Sequence, residues 1–443
     1  MKILLVIDQY DDMSNEVAAS AKVLVEQLKR NGHVVSILST GKEMPEKVVL
    51  EEGGIPRFQR RFFEENHLVT AKPDRRSMKR AIKGQDIVYF YYPFKVSEMG
   101  LELCDELHVP CVAGFYLFPE DISSTRFGVN RLYNKYKLFY DEFEHILCQS
   151  EIIKARLEEH GFESKIHVIS RGISEIYHYR RIEKPERFQE RVVITSLGDL
   201  SGENNQETLI KAIKLSKYSK YIHLILEGQG TEQDRYEHLL NKSHVQYTLK
   251  AFDENELRDV LSYTDLYVYT GDQSKIDIQS LKAIAMGNVP ILNDSSESAT
   301  KTIALDNRSL YSEDDEQDLA NKIDYWIEHQ TELSKMRDQY AKKADKFRLK
   351  ESIELVEKLF AEAIQDHLKR DYIESIETVK DEVEEQKEQE QEEPVKKETK
   401  PNKPNKPKNE KLKKKIKKEL LKELQKEEAA NSENTTETSD EEK

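Results

Sequence analysis

Residues 265–292 read DLYVYTGDQSKIDIQSLKAIAMGNVPIL. Leu266 and Val268, with Tyr267 and Tyr269 beside them, have the residue types of a buried strand. The polar segment Gly271 to Asp277 then reads as a loop. Apolar residues at Ile278, Leu281, Ile284 and Ala285 follow at helical spacing, Gly287-Asn288 stops that helix, and Val289 to Leu292 is a second strand. Strand, loop, helix and strand in under thirty residues make a βαβ unit, whose parallel strands present ligands at their carboxyl ends. The loop and helix start are therefore expected to line a cleft.

The same rhythm extends in both directions. Upstream, it predicts strands at Val192–Ser196, Ile222–Glu227 and Val245–Thr248, and helices at Gln206–Leu215, Thr231–Leu240 and Glu254–Leu261. An earlier series opens with strand Ile3–Ile7, a helix through Val17, Ala21, Leu24, Val25 and Leu28, and strand Val34–Leu38. It continues with strands within Asp86–Tyr92, Val109–Phe115, Ile146–Cys148 and Ile166–Ile169. The polar, proline-containing segment Tyr177–Glu190 between the series reads as a linker. Two such series predict an α/β chain of two facing Rossmann-like domains: residues 1–176, a linker 177–190, and residues 191–364. Ala320–Ile364 is expected to be helical, with Trp326 on its apolar side.

From about Asp366 the composition changes to Lys, Glu, Gln, Asn and Pro, so residues 365–443 read as a disordered charged tail. Within it, Leu412, Ile416, Leu420 and Leu424 recur every four residues among lysines. That pattern reads either as a solubilising segment or as a basic amphipathic helix for an anionic lipid surface. A second basic segment holds Arg57, Arg60, Arg61, Arg75, Arg76, Lys79 and Arg80. It reads either as a solvated helix face or as a patch for lipid head groups or a polyanionic partner.

A formal net charge of -15 over 443 residues argues against generic nucleic-acid binding. Cys104, Cys111 and Cys148 lack the paired spacing of a disulfide framework or a zinc site, which suits a reducing cytosol. No window approaches ~18 apolar residues, so the expectation is a cytoplasmic protein, at most peripheral at the inner membrane face. The loop Asp8–Asn15 has three aspartates and no glycine, which is no phosphate cradle.

SLGDLSGENNQETLIKAIK (196–214), LILEGQGTEQDRYEHL (224–239) and the opening stretch resemble, in order, the core of GT-B retaining glycosyltransferases of family 4. VPCVAGFYLFPEDIS (109–123) and KIHVISRGI (165–173) make the first half similar to bacterial diacylglycerol glucosyltransferase-like members. The resemblance covers roughly residues 1–364. It implies a nucleotide-sugar donor held without a metal or other cofactor, so that cations of the protein must hold the diphosphate.

At the places where the family pattern carries its chemistry, this chain differs. The Arg after the first glycine of the second domain is replaced in Gly198-Asp199, and the Lys five residues later by Asn204. Two to three charge-assisted contacts to phosphate, each ~1.5–3 kcal/mol, would be lost. The two glutamates eight positions apart, one near the donor sugar and one on the ribose hydroxyls, align with Ser274 and Lys282. A lysine cannot accept hydrogen bonds from a diol. The histidine that the family keeps near the reacting sugar aligns with Tyr116. What survives is Gly198, Gly228, Gly230, Gly287 and Pro290, the turn formers. Because Arg has become Asp199 and Glu has become Lys282, the two are either unrelated surface changes or an internal ion pair that closes the former donor pocket.

Two functions are therefore implied. The chain is either a non-catalytic partner of an active paralogue in cell-envelope glycolipid or glycan assembly, or a working transferase that moves a hexose from a nucleotide sugar to a membrane lipid or glycan.

Overall fold

The computed structural model describes residues 1–55, 60–123 and 125–392. Residues 1–373 form one compact unit and the chain from Glu374 a second. In the first unit the strands are β1 (Lys2–Val6), β2 (Val34–Ser39), β3 (Lys47–Val49), β4 (Ile87–Phe90), β5 (Cys111–Gly114), β6 (His145–Cys148) and β7 (Lys165–Val168). They form a sheet in the order β3-β2-β1-β4-β5-β6-β7, with every pair parallel. The second sheet comprises β8 (Val192–Leu197), β9 (Ile222–Glu227), β10 (Gln246–Leu249), β11 (Leu266–Tyr269), β12 (Val289–Asn293) and β13 (Leu310–Tyr311). Its order is β10-β9-β8-β11-β12-β13, again all parallel. Both are doubly wound, so the fold is the two-domain α/β architecture expected. The strand order reverses beside β1 in the first sheet and β8 in the second, and loops leaving those strands line crevices.

Burial on both faces explains the continuous apolar runs. Ile3 to Val6 and the whole of β4, β11 and β12 are buried. The short edge strands β3 and β13 were not anticipated. Lys47 opens β3, and two residues make up β13, so neither carries a strand's apolar signature.

Two departures from the sequence reading concern the ends of the second half. Helix Leu349–Glu392 continues well past Asp366, where the composition suggested a disordered tail; residues 393–443, including Leu412 to Leu424, lie outside the described residues. The start of this helix does not pack with the second sheet. Ile353, Val356, Leu359, Phe360 and Ala363 are buried in the core of the first, with the Phe360 ring 5.6 Å from that of Tyr89. The segment read as a linker also contributes to cores. Tyr177 is fully buried in the second core, and Phe188 packs with Val193, Ile225, Val260 and Tyr263.

Two glycine turns fix the floor of the second crevice. Gly228 has φ +138°, and a Cβ there would fall 2.1 Å from the Gly198 carbonyl oxygen; one on Gly230 would fall 2.3 Å from that of Leu200. Backbone bonds from Gly198 N to Glu227 O (3.1 Å) and Leu200 N to Gln229 O (3.0 Å) hold the turns together. Gly228→Ala is therefore expected to destabilise the chain by more than about 2 kcal/mol. A urea-unfolding midpoint equal to wild type would contradict this account of the turn.

Candidate functional site in the cleft

The first half contributes the loop after β1 and helix Glu16–Arg30, which Asn15 caps through its side chain. Asp8 is 1% exposed, accepts a hydrogen bond from Ala71 N at 2.7 Å, and leaves Oδ2 without a partner. Burial pushes its carboxyl up to about 7, against the backbone bond from Ala71. Asp11 is neutralised by Lys47 at 2.9 Å. Asp12 meets His67 at 3.3 Å.

Helix Glu16–Arg30 starts at the cleft, and Glu16 joins the two halves. Its carboxylate is 2.6 Å from Lys275, in the loop after β11, and 3.0 Å from Arg171. Desolvation opposes ionisation of Glu16, but Lys275 and Arg171 outweigh it and draw the carboxyl down to about 2. The side chain is 56% exposed, so water screens the link and its net worth is at most about 1 kcal/mol. Ser150 Oγ donates to Ser274 O at 2.5 Å, and Arg156 pairs with Glu297, so further bonds cross the same cleft.

The donor-side positions are placed as follows. Asp199 is exposed at the carboxyl end of β8. Its carbonyl oxygen accepts from Asn204 Nδ2 at 2.8 Å and Gln206 Nε2 at 2.9 Å, so Asn204 is turned into its own loop. Desolvation and the nearby Glu16 raise the Asp199 carboxyl above its ordinary range, opposed by Lys275. Lys282 lies elsewhere: its Nζ is 5.1 Å from the centre of the Tyr177 ring, a cation–π contact. Burial lowers its pKa, while Glu254, Glu227 and Asp277 act to raise it. Of the two alternatives, the Asp199–Lys282 ion pair is absent among the described residues, because each charge has found other neighbours.

Helix Ile278–Ala285 aims its N-terminus at the cleft, the kind of place where an anion could bind. Asp277 already occupies it, accepting from Ser280 N and Ser280 Oγ, both at 2.6 Å. Tyr116, the place of the family histidine, is no base. Its ring stacks on Tyr91 at 5.2 Å, its hydroxyl is 2.5 Å from that of Tyr89, and burial pushes its pKa up to about 12. It lines a cavity with Ser20, Tyr89, Tyr91, Arg171 and Ser352.

In the basic patch, Arg75 pairs with Glu106 (2.7 Å) and Glu102 (3.3 Å), and Lys79 pairs with Glu106. Arg60, Arg76 and Arg80 are exposed and have no ion pair among the described residues. Arg57 and the side chain of Arg61 lie outside them.

The family models decide the assignment. One described as Glycosyltransferase Family 4 matches residues 17–175, and one described as Glycosyl transferases group 1 matches residues 180–347. The chain belongs to the GT-B glycosyltransferases of family 4. Among curated proteins, this glycosyltransferase-family chain is similar to the alpha-monoglucosyldiacylglycerol synthase of Streptococcus pneumoniae, 24% identical over 241 residues, 51% of each chain. It thus spans about half the length of that curated relative. Among solved structures, a glycosyltransferase from Rickettsia africae shares 14% identity over 82% of this chain and 98% of its own, with a TM-score of 0.63. Anabaena HepE in complex with UDP-glucose shares 15% identity over 82% of this chain and 100% of its own, with a TM-score of 0.60. Both likenesses are of fold.

Several residues of this family 4 cleft were missed in the sequence. The Asp277 cap was legible, since Asp followed three residues later by Ser280 at a helix start is a capping arrangement. The Glu16–Lys275 link joins residues 259 positions apart, and no local signal announces it.

Proposed function

We propose that this glycosyltransferase-fold chain serves envelope glycolipid or glycan assembly with lost or weak catalysis, as the non-catalytic partner of an active paralogue. The observation that carries this reading is the Glu16 link. Lys275 and Arg171 are cations of the cleft placed to meet a diphosphate, and both are held on the Glu16 carboxylate, which for Lys275 belongs to the opposite half. Asp199 adds a like charge, Asp277 fills the helix end, and Tyr116 offers no base. The glycolipid assignment draws on the relative's name as a diacylglycerol glycoside synthase.

Titration calorimetry with UDP and UDP-glucose tests it. The expected result is no binding at millimolar ligand, and micromolar affinity would overturn the reading. A second reading, an active retaining transferase using a nucleotide sugar, is favoured by the presence of Lys275 and Arg171 themselves. Glu16→Gln would release both, and is expected to strengthen UDP binding by about fivefold, the equivalent of ~1 kcal/mol. Equal affinity in wild type and variant would remove Glu16 from the account.

The partner surface would be the inner face of the membrane, reached through Arg60, Arg76 and Arg80. No helix among the described residues is long and apolar enough to cross a membrane. At ~1 kcal/mol per cation near an anionic surface, Arg76→Ala/Arg80→Ala is expected to weaken sedimentation with phosphatidylserine vesicles by about tenfold or more. Pelleting equal to wild type would exclude this patch.

A further inference from the structure

The last two strands of the first sheet carry a second polar cluster, made of residues other than those named in the cleft. His145 opens β6 and His167 lies in β7. The register pairs His145 with Lys165 and Leu147 with His167. Alternation along each strand therefore places both imidazoles on one face. The helix Leu349–Glu392 supplies Glu362 and Asp366 one turn apart, so both can face the same neighbour.

The atoms converge. His145 Nδ1 is 3.0 Å from His167 Nε2. One ligand atom each from His145, His167 and Glu362 lies within 4.8 Å of the others. Two imidazole nitrogens bound to one tetrahedral zinc at 2.0–2.1 Å stand ~3.3 Å apart, so the pair needs to open by only a few tenths of an ångström. His145 is 1% exposed, and its Nε2 has no hydrogen-bond partner. The carboxylate of Asp366 stands 3.3 Å from that nitrogen and is itself held by Lys165 at 2.7 Å. A carboxylate behind a ligating imidazole is the usual outer partner of a metal-bound histidine. Glu362 has no ion-pair partner among the described residues.

We propose that His145 Nδ1, His167 Nε2 and a Glu362 carboxylate oxygen bind one divalent cation of the zinc class, with Asp366 orienting His145 from behind. Two imidazoles and a carboxylate suit zinc better than magnesium or calcium, which favour all-oxygen sets. Such a site would fasten the C-terminal helix to the outer strands of the first sheet. It is independent of donor binding, because none of its residues is in the cleft described above.

The test uses the full chain, freed of metal with a chelator and titrated with Zn²⁺ against a chromophoric competitor. The expected result is one site of micromolar affinity or tighter, with a rise in melting temperature on loading. His145→Gln/His167→Gln is expected to lose that site. Asp366→Asn is expected to weaken it by about 10–100-fold. Should the double variant fail to fold, Glu362→Gln, which alters a half-buried side chain, carries the test alone by weakening the same site. No Zn²⁺ uptake by wild type, or uptake of unchanged affinity and stoichiometry in the Glu362→Gln and His167→Gln variants, would overturn the proposal.

Discussion

Asp8→Asn is expected to raise the melting temperature at pH 8 by on the order of 10 °C and to change it little at pH 4. Buried Asp8 has its carboxyl pushed from the ordinary 3.8 to about 7. Between those values the folded chain keeps the Asp8 proton while the unfolded chain has lost it. Stability therefore falls as pH rises through that window, and the loss is complete above about pH 7. A shift of about three units corresponds to on the order of 4 kcal/mol, and ~2–4 °C per kcal/mol sets the size of the change in melting temperature. Asn keeps an oxygen for the Ala71 amide, 2.7 Å away in the wild type, and has no charge to bury. Melting curves of both proteins from pH 4 to pH 9 supply the check. A difference that does not grow with pH would mean that Asp8 ionises freely in the fold.

The second large effect concerns donor affinity. Asp199→Arg/Asn204→Lys is expected to strengthen UDP binding by about two to four orders of magnitude, at ~1.5–3 kcal/mol for each charge-assisted phosphate contact and ~1.4 kcal/mol per tenfold. The loop should tolerate the change. Asn204 gives up its bond to the Asp199 carbonyl, but Gln206 still donates to that oxygen at 2.9 Å. Asp199 forms no ion pair among the described residues, so its removal breaks none there. Calorimetry with UDP on both proteins decides. Affinity that stays at the wild-type level would place the obstruction at the Asp277-capped helix end rather than in the loop after β8.

The fold was legible because each buried parallel strand advertises itself as a run such as ILLV or IVYF, with glycine or asparagine closing the helices between them. Where the apolar signal was short or isolated, the reading missed. β3 and β13 are short edge strands, and Tyr177 and Phe188 are single apolar residues inside a polar segment. At the cleft, local sequence showed which charges had changed but not where they went. Lys282 turned to Tyr177, and Asp199 faced Glu16 and Lys275, because neighbours from distant loops set those choices.

The returning helix has a consequence for the order of synthesis. The first sheet is complete once Val168 has emerged, yet its core lacks Ile353, Val356, Leu359 and Phe360 until nearly two hundred further residues are made. The nascent first half must therefore wait with an apolar face uncovered while the second sheet folds. A fragment ending near residue 176 would carry that face permanently, exposed to chaperones and to other copies of itself.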